Sequence, residues 1–64
     1  MNVNIGDVIV MNGNRGEIVK FNSDANNDEF VNVLYDDGAY KTYLLADFMQ
    51  DVADEYVTIE EGVW

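Results

Sequence analysis

The sequence predicts a mainly β single domain of five strands with one short acidic helix before the last strand. Three observations predict it. Short β-branched runs alternate with Asn-, Asp- and Gly-rich turns as far as residue 43. The apolar period then changes from two to between three and four over residues 44–56. Apolar residues make up 48% of a 64-residue chain, enough for one core despite a net charge of −10.

The first strand is Asp7-Val8-Ile9-Val10-Met11, too short for a helix. It stops at Asn12-Gly13-Asn14-Arg15-Gly16, since Asn and Gly tolerate positive φ. Glu17-Ile18-Val19-Lys20-Phe21 follows as the second strand, and the two form a hairpin. Residues 22–29 are almost wholly polar and read as an exposed loop. Phe30-Val31-Asn32-Val33-Leu34-Tyr35 is the third strand. Asp36-Asp37-Gly38 suits a primed hairpin turn, and Ala39-Tyr40-Lys41-Thr42-Tyr43 returns as the fourth. Leu44, Leu45, Phe48, Met49, Val52, Ala53 and Tyr56 then form a helical stripe, with Asp47, Gln50, Asp51, Asp54 and Glu55 on the other side. The spacing predicts a helix within 44–54, with Thr42 as its N-cap. Tyr56-Val57-Thr58-Ile59 is the fifth strand, Glu60-Glu61-Gly62 a turn, and Val63-Trp64 an apolar tail.

Residues 5–48 resemble the small SH3-like barrels of the KOW and Tudor type. The signature is Ile5-Gly6-Asp7-x-Ile9-x-Met11, Gly16-x-Ile18-Val19, Val31-x-Val33-x-Tyr35-Asp36-Asp37-Gly38 and Tyr43-Leu44-Leu45-Ala46-Asp47-Phe48. In such barrels Gly-Asp opens the first strand, a Gly precedes the second, and Asp-Asp-Gly turns between the third and fourth. The resemblance implies a small SH3-like five-stranded barrel, a fold that hosts unrelated activities. Residues 49–61 depart from the pattern through their helical, acidic character.

Charge and composition narrow the function. Against 13 acidic residues stand only Arg15, Lys20 and Lys41, too few to grip nucleic-acid phosphates, and an anionic membrane would repel the chain. No apolar run nears the roughly 18 residues of a spanning helix, and the N-terminus does not read as a signal peptide, so a cytoplasmic location is expected. His and Cys are absent and Ser23 is the lone serine, so nucleophilic triads and the usual zinc sites are not available. The chain reads as a non-enzyme with no cofactor and no metal. Asp24-x-Asn26-x-Asp28 has the spacing that starts a calcium loop, but Glu29 stands where Gly is needed and Tyr35 where Glu should close it. It reads as a polar turn.

The acidic distribution carries the main expectation. After Lys41 there is no cation, while Asp47, Asp51, Asp54, Glu55, Glu60 and Glu61 follow. On a helix Asp47, Asp51, Asp54 and Glu55 project from adjacent turns about 5.4 Å apart, comparable to neighbouring phosphates on one strand. Such an array fits the basic groove of a nucleic-acid-binding protein, with Asp36 and Asp37 as a second patch and Tyr40 as an aromatic anchor. In size and charge the chain is similar to the small acidic proteins with which bacteriophages disable host DNA-handling enzymes. That similarity implies a DNA-mimic inhibitor acting in a host cytoplasm on a basic protein. A solvated acidic face that keeps a small protein soluble is the plainer reading.

Two further readings stand beside it. The Tudor resemblance implies an adaptor that binds a basic or methylated peptide through Tyr35, Tyr40 and Asp37. An accessory domain docking by Val63-Trp64 is the other. An open strand edge also makes a second copy of the chain a partner to consider.

Overall fold

A computed structural model describes residues 3–60. The expected order of five strands and one helix is present: β1 Val8–Met11, β2 Asn14–Ser23, β3 Glu29–Tyr35, β4 Tyr40–Leu44, α1 Leu45–Ala53 and β5 Val57–Glu60. The strands form one antiparallel sheet in the order β4-β3-β2-β1-β5, so β5 returns to pair with β1. The sheet is not closed: β4 and β5 are its edges. The expectation of a closed barrel is therefore met only as far as a five-stranded antiparallel sheet with one short helix.

Asn12 and Gly13 have φ of 52° and 77°, and Met11 pairs directly with Asn14. This is a two-residue hairpin turn of the primed kind, favoured because its twist matches that of the flanking strands. The turn ends sooner than residue chemistry suggests, since Asn14, Arg15 and Gly16 already lie in β2. Gly16 sits opposite Tyr35, and a Cβ there would meet Tyr35 Cδ1 and Val33 Cγ1, each at 2.8 Å. A packing demand from β3 thus puts glycine in this strand.

β2 also runs further than expected, to Ser23, because Asn22 and Ser23 pair with Phe30 and Glu29. Its register shifts between Ile18 and Lys20, which makes Val19 the extra residue of a bulge. Without that bulge Ile18 and Phe21, three positions apart, would face opposite sides of the sheet. With it, Ile18 pairs with Val33 and Phe21 with Val31, and both turn toward the core.

The core lies between one face of the sheet and α1. Ile9, Ile18, Val31, Val33, Tyr35 and Val57 come from the sheet, Phe48 and Val52 from the helix. Leu45, Phe48, Met49 and Val52 follow the i, i+3, i+4, i+7 pattern and form the inward stripe. Burying Phe48 and Val52 stabilises by about 1.5–3 kcal/mol each. The stripe is narrower than the sequence suggests, because Leu44, Ala53 and Tyr56 are exposed. Helix α1 contacts β3, β4 and β5, and so spans the two edges of the sheet.

Two local expectations change. Thr42 is not the helix N-cap: it lies in β4 and its hydroxyl donates to Asn32 Oδ1 at 2.7 Å, while Leu44 holds the cap position with no side-chain bond. Asn32, the buried polar residue of β3, also donates to Asn22 Oδ1 at 2.6 Å and Lys20 C=O at 3.3 Å, so its burial is fully compensated. The Asp36-Asp37-Gly38 turn is not a two-residue primed turn. Only Gly38 has positive φ, at 90°; its N–H donates to Tyr35 C=O at 2.9 Å, and Tyr35 N–H donates to Ala39 C=O. A three-residue loop with glycine in the left-handed position results, the other common hairpin solution.

Candidate functional site

Three of the four carboxylates expected on the helix share one of its faces. Asp47, Asp51 and Asp54 are spaced i, i+4 and i+7, about 0°, 40° and −20° around the axis at 100° per residue. Phe48 and Val52 occupy the opposite, buried side. Asp47 and Asp54 are exposed and Asp51 is half-buried. Asp54 accepts a hydrogen bond from Gln50 Nε2 at 3.2 Å. Among the described residues the one ion pair is Arg15–Glu60 at 3.0 Å, which bridges β2 and β5 across β1. The stripe therefore carries no paired cation.

Glu55 is not part of this face. It follows the helix with φ of 62°, and its N–H donates to Val52 C=O at 3.1 Å while Tyr56 N–H donates to Asp51 C=O at 2.8 Å. These bonds form a Schellman cap, in which glycine is the usual residue at the left-handed position. Glu55 thus points from the turn beyond the helix and widens the acidic region at its C-terminal end.

That end is an unfavourable place for negative charge. Asp51 and Asp54 lie where the helix dipole is negative, no basic residue occupies the last turn, and like charges at i, i+3 and i, i+4 repel. Only Asp47, in the first turn, complements the dipole. Helix α1 is held by its apolar face against the sheet, and its acidic face weakens it.

Asp36 and Asp37 are exposed in the β3–β4 loop. Asp37 Oδ1 accepts the Ala39 N–H at 2.9 Å, which fixes one carboxylate to the loop backbone. The loop lies at the same end of the sheet as the Asn12-Gly13 turn, because Asp36 N–H donates to Arg15 C=O and Tyr35 pairs with Gly16. Helix α1 leaves β4 at the other end and returns to this one, where Val57 pairs with Met11. Asp51 and Asp54, the C-terminal part of the stripe, therefore lie toward the same end of the molecule as Asp36 and Asp37, while Asp47 lies toward the other, a relation the linear sequence does not display.

Tyr35 and Tyr40 cannot line one pocket. Tyr35 follows Val31 and Val33 onto the core face and is only 7% exposed. Its hydroxyl lies 2.8 Å from that of Tyr43 and donates a long contact to Met11 Sδ at 3.7 Å. Burial first, then the Tyr43 hydrogen bond and the nearby charge of Asp37, hold the Tyr35 phenol in its protonated form well beyond the ordinary tyrosine range. Tyr40 pairs with Leu34 on the outer face and is 55% exposed. The cage of Tyr35, Tyr40 and Asp37 is overturned by strand alternation, which was readable from the hairpin register.

In the 24–28 loop, Asp24 Oδ1 accepts the N–H groups of Asn26 and Asp28 at 2.9 and 3.0 Å. That carboxylate closes its own turn. Among the described residues no group of three or more ligating side chains is placed to hold a metal, and no helix is long and apolar enough to cross a membrane. Val63 and Trp64, the proposed docking tail, and Glu61 lie outside the described residues. An open groove of about 450 Å³, which no feature of the sequence announces, is floored by Val3, Phe21, Leu45 and Met49, with Asn22, Ser23 and Glu29 at its rim. It is built by long-range packing that no local motif signals.

Fold and site together define a small, β-rich acidic domain with a carboxylate face on the one helix among the described residues. No family model, no curated protein and no solved structure gives a significant match to this chain.

Proposed function

We propose that this chain is a non-enzymatic acidic binding protein that occupies the cationic nucleic-acid-binding surface of another protein. Asp47, Asp51 and Asp54 form the centre of the contact, with Glu55 extending it and Asp36 and Asp37 toward the end at which the stripe finishes. The architecture behind it is an SH3-like barrel in which α1 fills the gap between the edge strands. The β4-β3-β2-β1-β5 order supports that reading.

One observation carries the function: an uncompensated carboxylate stripe runs along a nine-residue helix into its C-terminal turn. Stability favours cations in that turn and mixed charges on that face. Departures of this kind, where local rules are broken consistently, are expected at functional surfaces. Solubility alone would be served by carboxylates anywhere on the surface. In mechanism the stripe displaces the counterions of a basic groove as a phosphate strand does, so binding weakens with salt and competes with nucleic acid. A bacteriophage inhibitor working in its host's cytoplasm is the biological setting that size and charge suggest. Immobilised protein should retain nucleic-acid-binding proteins from a bacterial lysate and release them to duplex DNA. Retention in excess DNA would contradict the proposal.

A further inference from the structure

We propose that β4 is the pairing edge of a two-fold symmetric dimer of this chain, centred on Thr42. Among the described residues no strand pairs with the outer side of β4. The phase of the β3–β4 ladder fixes which of its backbone groups are free. Tyr35 N–H donates to Ala39 C=O, and antiparallel pairs alternate between bonded and non-bonded positions. Lys41 opposite Val33 and Tyr43 opposite Val31 are then the bonded pairs. The N–H groups of Tyr40, Thr42 and Leu44 consequently point away from the sheet, with the carbonyls of Tyr40 and Thr42. The Leu44 carbonyl, at the helix N-cap, turns into α1.

The side chains of the same three residues stand on the outer face. Tyr40 pairs with Leu34 and Leu44 with Phe30, flanking the polar Asn32–Thr42 pair. Among the described residues Tyr40, Leu34 and Leu44 are three of the five large apolar side chains left exposed; Tyr40 and Leu34 adjoin, and Leu44 lies beyond Thr42 on the same face.

Charge identifies the occupant. Phe30–Leu34 and Tyr40–Leu44 contain no carboxylate, whereas the other edge, β5, ends in Glu60. A cationic partner finds nothing on this strip to pair with. A second copy, repelled elsewhere by its −10 charge, meets least repulsion here, and Lys41 of each copy enters the negative field of the other. The register is self-complementary. A two-fold axis at Thr42 sets Thr42 against its own counterpart and Tyr40 against the second copy's Leu44. Reciprocal bonds then join the two Thr42 backbones, and each Leu44 N–H reaches the Tyr40 carbonyl of the other copy. Two apolar rows, Phe30–Leu44–Tyr40–Leu34, continue across the join.

The proposal is independent of the acidic-stripe reading, and salt separates them: it should strengthen the dimer and weaken the stripe's hold on a cationic partner. Sedimentation equilibrium up to millimolar protein should show a monomer–dimer equilibrium that shifts toward dimer at high salt. Thr42→Pro removes the outward-facing N–H along with the hydroxyl bond to Asn32, leaves the bonded pairs of the β3–β4 ladder in place, and should give a less stable monomer that keeps the circular dichroism of the fold. Should that variant unfold, Tyr40→Lys with Leu44→Lys serves in its place. Thr42→Cys places two thiols at the axis, where bonded antiparallel partners lie about 5.5 Å apart at Cα, within disulfide reach. Mild oxidation should crosslink it rapidly, and Thr58→Cys on the other edge slowly. A monomer at every concentration and salt, a dimer that survives these variants, or equal crosslinking of the two thiols would overturn the proposal.

Discussion

The hydroxyls of Tyr35 and Tyr43 lie 2.8 Å apart, joining the end of β3 to the inner side of β4. The Tyr43 ring in turn lies 5.9 Å from that of Phe48, at 34°. One hydrogen bond and one aromatic contact thereby link the sheet to the helix that carries the acidic stripe.

Because the folded state holds the Tyr35 proton more tightly than the unfolded chain, this contribution is complete below the ordinary tyrosine pKa of about 10. It fades as the pH rises above that value. Urea unfolding followed from pH 8 upward should show stability falling beyond about pH 10. Tyr35→Phe should cost about 1 kcal/mol at neutral pH through loss of the bond to Tyr43, and should flatten the alkaline decline.

At Gly16, β3 leaves no room for a side chain on β2. A Cβ would meet Tyr35 and Val33 at 2.8 Å and the Leu34 carbonyl oxygen at 3.1 Å. Gly16→Ala should therefore destabilise by about 1–3 kcal/mol, as overpacking does elsewhere, measurable as a lower urea midpoint.

Glu55 occupies a left-handed position that glycine adopts freely, and it adds a negative charge at the negative end of α1. Glu55→Gly should stabilise the domain by about 1 kcal/mol, relieving both costs. An unchanged or lower unfolding midpoint would show that the Schellman turn is not strained.

With a net charge of −10 on 64 residues, self-repulsion opposes folding. The thermal midpoint should rise with ionic strength over the range where screening acts. A flat or falling midpoint would mean that local pairs such as Arg15–Glu60 matter more than the overall field.

The succession of strands and helix along the chain was legible because both periods are local, and the Asn12-Gly13 turn because its chemistry is decisive. Strand ends were not. Gly16 reads as a turn residue yet serves a packing contact with Tyr35, and Asn22 and Ser23 read as loop yet are drawn into β2 by Glu29 and Phe30. Thr42 resembles a cap by type, but Asn32 claims its hydroxyl. In the site, the Asp47, Asp51 and Asp54 face followed from spacing alone. Glu55 fell off it because the helix ends in a backbone conformation that no side-chain signal announces. Residue type alone suggests a pocket role for Tyr35, whereas its alternation with Val31 and Val33 assigns it to the core.

The carboxylate stripe is tested most directly by charge reversal. Asp47→Lys, Asp51→Lys and Asp54→Lys together leave Phe48 and Val52 in place, and the two cations gained near the helix C-terminus offset the loss of Asp47 from the first turn, so the fold should persist, as circular dichroism will check. In a lysate pull-down challenged with duplex DNA, the unaltered protein should hold nucleic-acid-binding partners that DNA and salt both release, and the triple variant should hold none of them. Equal retention by the triple variant, or partners indifferent to excess DNA, would contradict it.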